Sequence, residues 1–481
     1  MRSLAVLLVA LALAGCDQET EPAATAPTTT AATTTEEPGE TTTAAPATVE
    51  EAITAEGLLA HLRALDEIAA ENDGTRESGS PGYEASVAYV VAELEEAGYE
   101  ARLERFRFTY PHELEAPRLE RLSPRPQVYS DEADFVTLRF SGSGAVRARL
   151  VPVDTAGLSS GCESSDFAGF PRGAVALVAR SGCFFYVKAE NAEAAGAAAV
   201  VIFNDGSPGR EGPLAGTLLR PGAAIPVLGL AHAPGERLAR LAARGSVSVR
   251  VAARVRNERK RIANVVADLP GREDGGVILL GAHLDSVAQG PGINDNGSGV
   301  ATVLEAARQL RALGELPRRG IRFAFWAAEE FGLYGSRAYA ESLGADAAEE
   351  IAAVLNFDMV GSPNFVRYVY DGDAEPPGSK RIERAFRAYF RKRDLAVAEI
   401  SITGRSDHAP FAEEGIPVGG LFTGADGQKT RAEAGRFGGE RGEAHDACYH
   451  KACDTIENVD VSVLEVMAEA AAAVALRLAR S

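Results

Sequence analysis

The sequence predicts an α/β protein: a mostly parallel mixed sheet with helices on both faces, interrupted by a smaller β-rich insert. Three observations predict it. From residue 262 onward, apolar strand-like runs alternate with amphipathic helical stretches, the pattern of parallel strands joined by helical crossovers. Between 119 and 255 the pattern changes to short strands at close spacing. The ordered opening at 49–118 reads as helix, helix and strand, too few elements to bury a core alone, so it is assigned to the same domain as 256–481.

Taken in order, the chain begins with Met1-Arg2 and an apolar run at 4–13, the layout of a secretory signal and too short to span a bilayer. Leu13-Ala14-Gly15-Cys16 resembles a bacterial lipobox, so 1–16 is read as a lipoprotein signal and Cys16 as the lipidated residue. Residues 17–48 are almost entirely Thr, Ala, Pro and Glu; such a segment has nothing to bury and is read as a disordered tether. Helical periodicity follows at 55–70 and 82–97, then an alternating strand at 99–108. Within the insert, strands are expected at 135–140, 145–152, 174–179, 198–203 and 247–255, with helices at 187–195 and 232–243. Beyond it, strands at 262–269, 277–280, 321–327, 352–358, 396–402 and 418–422 alternate with helices at 299–313, 335–343, 379–391 and 461–479.

A net charge of −19 argues against a nucleic-acid partner and against an electrostatic membrane anchor. Contact with a membrane is expected only through the lipid on Cys16, and everything after it outside the cytoplasm, whether anchored or secreted. Four further cysteines, an even number in an oxidising compartment, pair most simply as Cys162–Cys183 and Cys448–Cys453, each close in sequence. No CxxC occurs, so a structural zinc built from cysteines is not expected.

Residues able to bind a metal recur at the carboxyl ends of the expected parallel strands, where open α/β sheets place their working sites. His283 and Asp285 follow one strand, Asp295 sits on the Gly/Asn-rich loop after it, Glu329 and Glu330 follow a second, and Asp358 closes a third. Histidine with several carboxylates suits zinc, and a pair of zinc ions needs a bridging carboxylate, for which Asp295 is the natural candidate. Adjacent Glu329 and Glu330 can divide the labour, one ligating while its neighbour takes a proton from metal-bound water. Asp285 is open between ligand and an acceptor that orients the His283 imidazole; the second reading is preferred.

The motifs GAHLDSV (281–287), GINDNGSG (292–299), WAAEEFGLYGS (326–336), NFDMVGSPN (356–364), GRSDHAPF (404–411), VGGLFTGA (418–425) and CYHKACDT (448–455), with NDGTRESGSPGYEASVAYV (72–90), together resemble the secreted bacterial di-zinc aminopeptidases of the aminopeptidase S and aminopeptidase Y type. The resemblance implies a zinc exopeptidase fold and two Zn2+ per chain: His283 and Asp358 on one ion, Glu330 and His450 on the other, Asp295 bridging. It makes Glu329 the general base and Tyr449 a donor to the oxyanion, keeps Asp285 outside the ligand set, and places Arg405 and Phe422 at the substrate pocket. His408 of GRSDHAPF is the rival ligand, set aside because the family uses the His of CYH. The stretch 161–205, with Cys162 and Cys183, is similar to a protease-associated (PA) domain. The expectation is therefore a monomeric zinc aminopeptidase acting on peptide or protein N-termini, with leucine or another apolar first residue. A carboxypeptidase or glutaminyl cyclase-like enzyme of the same fold, and a non-catalytic peptide-binding lipoprotein, are the alternatives.

Overall fold

The structure is a computed structural model that describes residues 48–481 apart from 156, 158, 209, 274, 345–349, 374 and 402–403. The signal segment with Cys16 and all but the last residue of the 17–48 tether lie outside the described residues.

Fourteen strands among the described residues, numbered along the chain, join in one mixed sheet. From one edge the order is β13 (Ala398–Ile400), β12 (Tyr368–Tyr370), β14 (Val418–Phe422), β11 (Ile351–Phe357), β9 (Val277–His283), β10 (Gly320–Trp326) and β8 (Val247–Leu269). It continues through β4 (Gly144–Pro152), β5 (Val175–Ala179), β6 (Ala199–Phe203), β7 (Val227–Leu230) and β3 (Phe135–Thr137). The remaining two, β1 (Arg102–Ser123) and β2 (Gln127–Val128), pair with each other, and β1 also runs antiparallel along β8. The strands that carry the site, β14, β11, β9 and β10, are mutually parallel in that order. They are buried on both faces almost throughout and accordingly read as mainly apolar runs, with Arg322 of β10 and Asn356 of β11 as polar exceptions.

Alternate residues of these strands feed different cores. Ile278 and Leu280 pack under the helices Ala55–Glu71, Ser298–Ala312 and Val461–Ala479. Leu279 and Trp326 face the opposite layer with Tyr339 and Phe411. The Trp326 ring sits 5.2 Å from Tyr339 and 5.7 Å from Phe411, fully buried.

One expectation about the elements fails. The strands expected at 247–255 and 262–269 are a single strand, β8, and the strand expected at 99–108 extends to Ser123 as β1. The expected limits of the insert at 118/119 and 255/256 therefore fall inside a continuous antiparallel ribbon, in register from Arg102↔Val266 to Ser123↔Ser248 with three irregularities. The charged run 256–261, RNERKR, looks like a loop by composition. On a two-stranded ribbon most of its side chains are exposed or half-buried, so charge there costs nothing.

Candidate metal centre

Parallel register aligns the strand ends: Trp326 of β10 is opposite His283 of β9, and Asn356 of β11 is opposite Gly281. His283, Glu329-Glu330 and Asp358 thus leave neighbouring strands at one rim of the sheet, while the loop 292–299 and the CYH segment arrive from above it.

The loop carrying Asp295 is stitched to the end of β11 by its own side chains. Asn296 donates from Nδ2 to Phe357 O at 2.9 Å and accepts at Oδ1 from Gly299 N and Met359 N. Ser298 Oγ donates to Asn294 O at 2.7 Å and accepts from Val360 N. Glycine is required at two positions: a Cβ on Gly299 would lie 2.2 Å from Phe357 O, and Gly292 has φ +65° with Asp295 O 2.4 Å from where a Cβ would be. The peptide Asp295–Asn296 is cis.

Two trios of ligand-type atoms result, His283–Asp295–Asp358 and Asp295–Glu330–His450, each with its atoms within 4.8 Å of one another. Asp295 is common to both and turns one oxygen to each: Oδ1 lies 3.2 Å from His283 Nε2, and Oδ2 lies 3.2 Å from His450 Nε2. Asp358 Oδ1 is 3.4 Å from His283 Nε2, and Glu330 Oε2 is 3.2 Å from His450 Nε2. Glu329 Oε2 stands 4.0 Å from His283 Nε2, beside the first trio but outside it.

The electrostatics are those of crowded buried acids. Burial alone would push His283 and His450 down, but the carboxylates outweigh it: Glu329 and Asp358 hold His283 well above its ordinary value, and Glu330 and Asp295 hold His450 at about 10. Burial would raise Asp295, yet hydrogen bonds from the two imidazoles hold it below the usual carboxylate range. Glu329 is pushed well above the ordinary glutamate value by burial, with Glu330 and Asp407 adding to the effect against His283. Glu330 Oε1 is buried with no hydrogen-bond partner. A cluster of buried carboxylates with one imidazole in each half, one oxygen unpartnered and one carboxylate divided between the halves, fits a pair of divalent cations with nitrogen and oxygen preference.

Asp285 departs in detail from the expected role. The imidazole Nδ1 of His283 is 3.0 Å from the main-chain carbonyl of Asp285, whereas the Asp285 carboxylate is 3.8 Å away. Donation from Nδ1 to that carbonyl leaves Nε2 free for a metal. The Asp285 carboxylate instead accepts from Glu329 N at 3.1 Å, fixing the main chain of the Glu329-Glu330 pair, and burial pushes it up to about 7.

Around this centre lies a cavity of about 510 Å³, lined by Met359, Tyr370, Ile400, Arg405, Phe422, Asp426 and Tyr449 as well as His283, Asp295, Glu329, Asp358 and His450. Arg405 and Phe422 are thus both on its wall; Phe422 is half-buried and stacked on Tyr368, and Arg405 is exposed. Tyr449 stacks on His450 at 3.8 Å, and burial, with Asp295 and Glu330, pushes its phenol well above 10, so the hydroxyl keeps its proton. His408 is elsewhere: packed against Tyr370 at 5.0 Å, neither ring nitrogen hydrogen-bonded, and pushed down to about 4 by burial. Its motif reaches the centre through Ser406, whose hydroxyl donates to Asp358 Oδ2 at 2.6 Å and accepts from Asn356 Nδ2. Both expected disulfides, Cys162–Cys183 and Cys448–Cys453, are present, the second spanning the loop that carries His450.

Two residues that sequence reasoning did not single out hold the centre in place. Arg76, fully buried, donates to the carbonyls of Leu284, Pro291 and Gly292, the backbone between His283 and Asp295. Asp454 accepts from Asn294 N at 2.9 Å and from Asp295 N at 3.0 Å. Both stand inside motifs already recognised, NDGTRESGS and CYHKACDT, and that placement was the available signal.

The sequence profile of Peptidase family M28 matches residues 264–475, and that of the PA domain matches 146–238. A Pseudomonas aeruginosa protein named aminopeptidase is 42% identical over 442 residues, which are 89% of this chain and 81% of that protein. A Mycobacterium tuberculosis protein named probable lipoprotein aminopeptidase LpqL is 38% identical over 444 residues, 86% of this chain and 83% of that one. Among solved structures, an aminopeptidase from Aneurinibacillus sp. strain AM-1 superposes with a TM-score of 0.71 at 26% identity, covering 90% of this chain and 95% of its own.

Proposed function

The chain belongs to peptidase family M28 and is a metalloaminopeptidase, and from that premise we propose that it holds two zinc ions and removes single residues, leucine and other apolar ones preferred, from the free N-terminus of peptides. The observation that carries the reading is Asp295, whose two oxygens each face a separate imidazole, one per trio. His283 and Asp358 would hold one ion, Glu330 and His450 the other, and Asp295 both. Bound zinc supplies positive charge that acidifies a water and polarises the carbonyl to be attacked.

The chain's own groups do the rest. Glu329, adjacent to the first trio and with its proton affinity raised by burial, takes the proton from the attacking water and returns it to the leaving amine. Tyr449 donates a hydrogen bond from its hydroxyl to the developing oxyanion, and burial keeps that phenol protonated. Glu329 and Asp358 at the cavity wall attract the substrate ammonium, Arg405 lies on the same wall for the peptide main chain, and Met359, Ile400 and Phe422 surround an apolar first side chain. Two disulfides accord with an extracytoplasmic compartment, and the Cys16 motif with a lipid anchor.

The test is hydrolysis of leucyl-p-nitroanilide together with metal analysis. Two zinc per chain, loss of activity with chelator and a kcat about 100- to 10,000-fold lower in Glu329→Ala are expected. One zinc per chain, or a Glu329→Ala variant as active as the parent, removes the reading.

A further inference from the structure

The cavity over the metal centre has one wall that does not come from the peptidase domain. Phe184 lines it, and this residue lies in the segment matched by the PA domain. It is one of few large apolar side chains left exposed among the described residues, at 44%. An exposed phenylalanine on a surface loop is ordinary; this one is held in position from three sides.

Its neighbour Cys183 is bridged to Cys162, and the Cys162 end is itself pinned: Asn191 Nδ2 donates to Gly161 O and Cys162 O, and buried Lys188 donates to Ser160 O. The Phe184 ring stacks on Tyr186 at 5.9 Å and 15°, and the Arg220 guanidinium covers the Tyr186 ring at 4.5 Å. The third restraint joins the insert to the cavity rim. Arg180, just ahead of the bridge, and Arg210 both pair with Asp426, which lines the cavity on the loop following Phe422. An aromatic ring fixed by a covalent bridge, a stack and a half-buried ion-pair network, yet left half in solvent beside catalytic groups, is placed to receive a ligand group.

We infer that Phe184 is a specificity-determining residue for the second residue of the peptide, the one whose amino group is released. This rests on the aminopeptidase site described above. The first side chain already has an apolar enclosure made by the peptidase domain, from Met359, Ile400 and Phe422. The insert is anchored at Asp426, which lines the cavity together with Tyr449 and His450, and its Gly216 and Thr217 line a second pocket with Glu330 and His450, so it approaches from the His450–Tyr449 side of the centre. With the ammonium beside Glu329 and Asp358 and the scissile carbonyl at Tyr449, what lies beyond Tyr449 is the departing part of the peptide. An apolar or aromatic second side chain then packs on Phe184, whereas glycine gains nothing from it.

The experiment measures leucine release from Leu-Phe-Gly and Leu-Gly-Gly by the zinc-loaded full chain and its Phe184→Ala and Phe184→Tyr variants. The parent favours Leu-Phe-Gly; Phe184→Ala lowers kcat/KM for Leu-Phe-Gly about tenfold, leaves Leu-Gly-Gly unchanged, and Phe184→Tyr restores the preference. An equal loss on both peptides, or no change on either, overturns the inference. A parent enzyme with no activity on either tripeptide overturns the aminopeptidase site reading itself, and the inference with it.

Discussion

Replacing Arg76 with Met tests whether the backbone between His283 and Asp295 is held by that one guanidinium. Arg76 lies in a segment more than 200 positions earlier in the chain and has no exposed surface, and three of its donors end on carbonyls of the metal loop. Hydrogen bonds from a charged donor contribute about 1.5–3 kcal/mol each, so three amount to roughly 4–9 kcal/mol. Against that stands the cost of burying the cation: desolvation brings Arg76 down from 12.5 to about 10 even with Asp285, Asp454 and Asp295 opposing, which corresponds to about 3 kcal/mol. Methionine fills similar volume, removes the buried charge and leaves three carbonyls unpaired. The expected net loss is about 2–5 kcal/mol, read as a lower urea midpoint with unchanged slope in metal-free protein. Arg76→Lys, which keeps the charge but reaches fewer carbonyls, should fall between. A Met variant within about 0.5 kcal/mol of the parent would refute the argument, because the three bonds would then only compensate the burial of the charge.

Asp454→Ala removes the acceptor of the Asn294 and Asp295 amides, and zinc affinity measured by chelator competition should drop about 10- to 100-fold, with Asp454→Asn retaining part of it. Removing the Cys448–Cys453 bridge, which closes a loop of separation 5, should cost about 2 kcal/mol in thermal unfolding and lower kcat through a less constrained His450. Metal-free protein should lose stability as pH rises, since Asp285, Asp407 and Asp454 at about 7 and His450 at about 10 all bind protons more tightly folded than unfolded. Their contribution is complete below the unfolded values and disappears between about pH 4 and 7 for the aspartates and between about 6.5 and 10 for His450. Urea midpoints at pH 5, 7 and 9 in chelator should therefore descend, and zinc loading should flatten the trend by displacing those protons.

The sheet was legible where burial is two-sided. Val277–His283, Gly320–Trp326 and Ile351–Phe357 are short, mainly apolar runs whose polar members are Arg322, Asn356 and the terminal His283, a pattern that parallel strands produce. The long ribbon of β1 and β8 was not, because its middle lies largely open to solvent and shows neither an apolar run nor a clean alternation: the register sets Arg107 opposite Arg261 and Pro111 opposite Asn257. A ladder of that kind is specified by its partner strand, and no local window contains the partner.

The candidate site divides along the same line. His283, the Glu329-Glu330 pair and Asp358 stand at successive strand ends with Asp295 on the loop after the first, and their joint occurrence points to a metal; His450, and Glu330 as the ligand of the pair, follow only from the family resemblance, and the structure brings all five together. Of the groups that orient them only Asp285 could be named, since a supporting group is defined by what it touches. Ser406, and not His408, is the residue by which GRSDHAPF reaches Asp358; the serine has a common side chain and the histidine an uncommon one, so composition points at the wrong neighbour. Asp285 is the sharper case. Its place after His283 suggested an imidazole partner, and it is one, but through its carbonyl; its carboxylate instead receives the amide of Glu329. Sequence position limits which residues can meet, while the choice between main-chain and side-chain oxygen is made by a strand-end turn only a few ångströms across. One dipeptide step thereby ties the orientation of a ligand to the backbone of the general base, so a substitution at Asp285 acts first on Glu329 and only secondarily on His283.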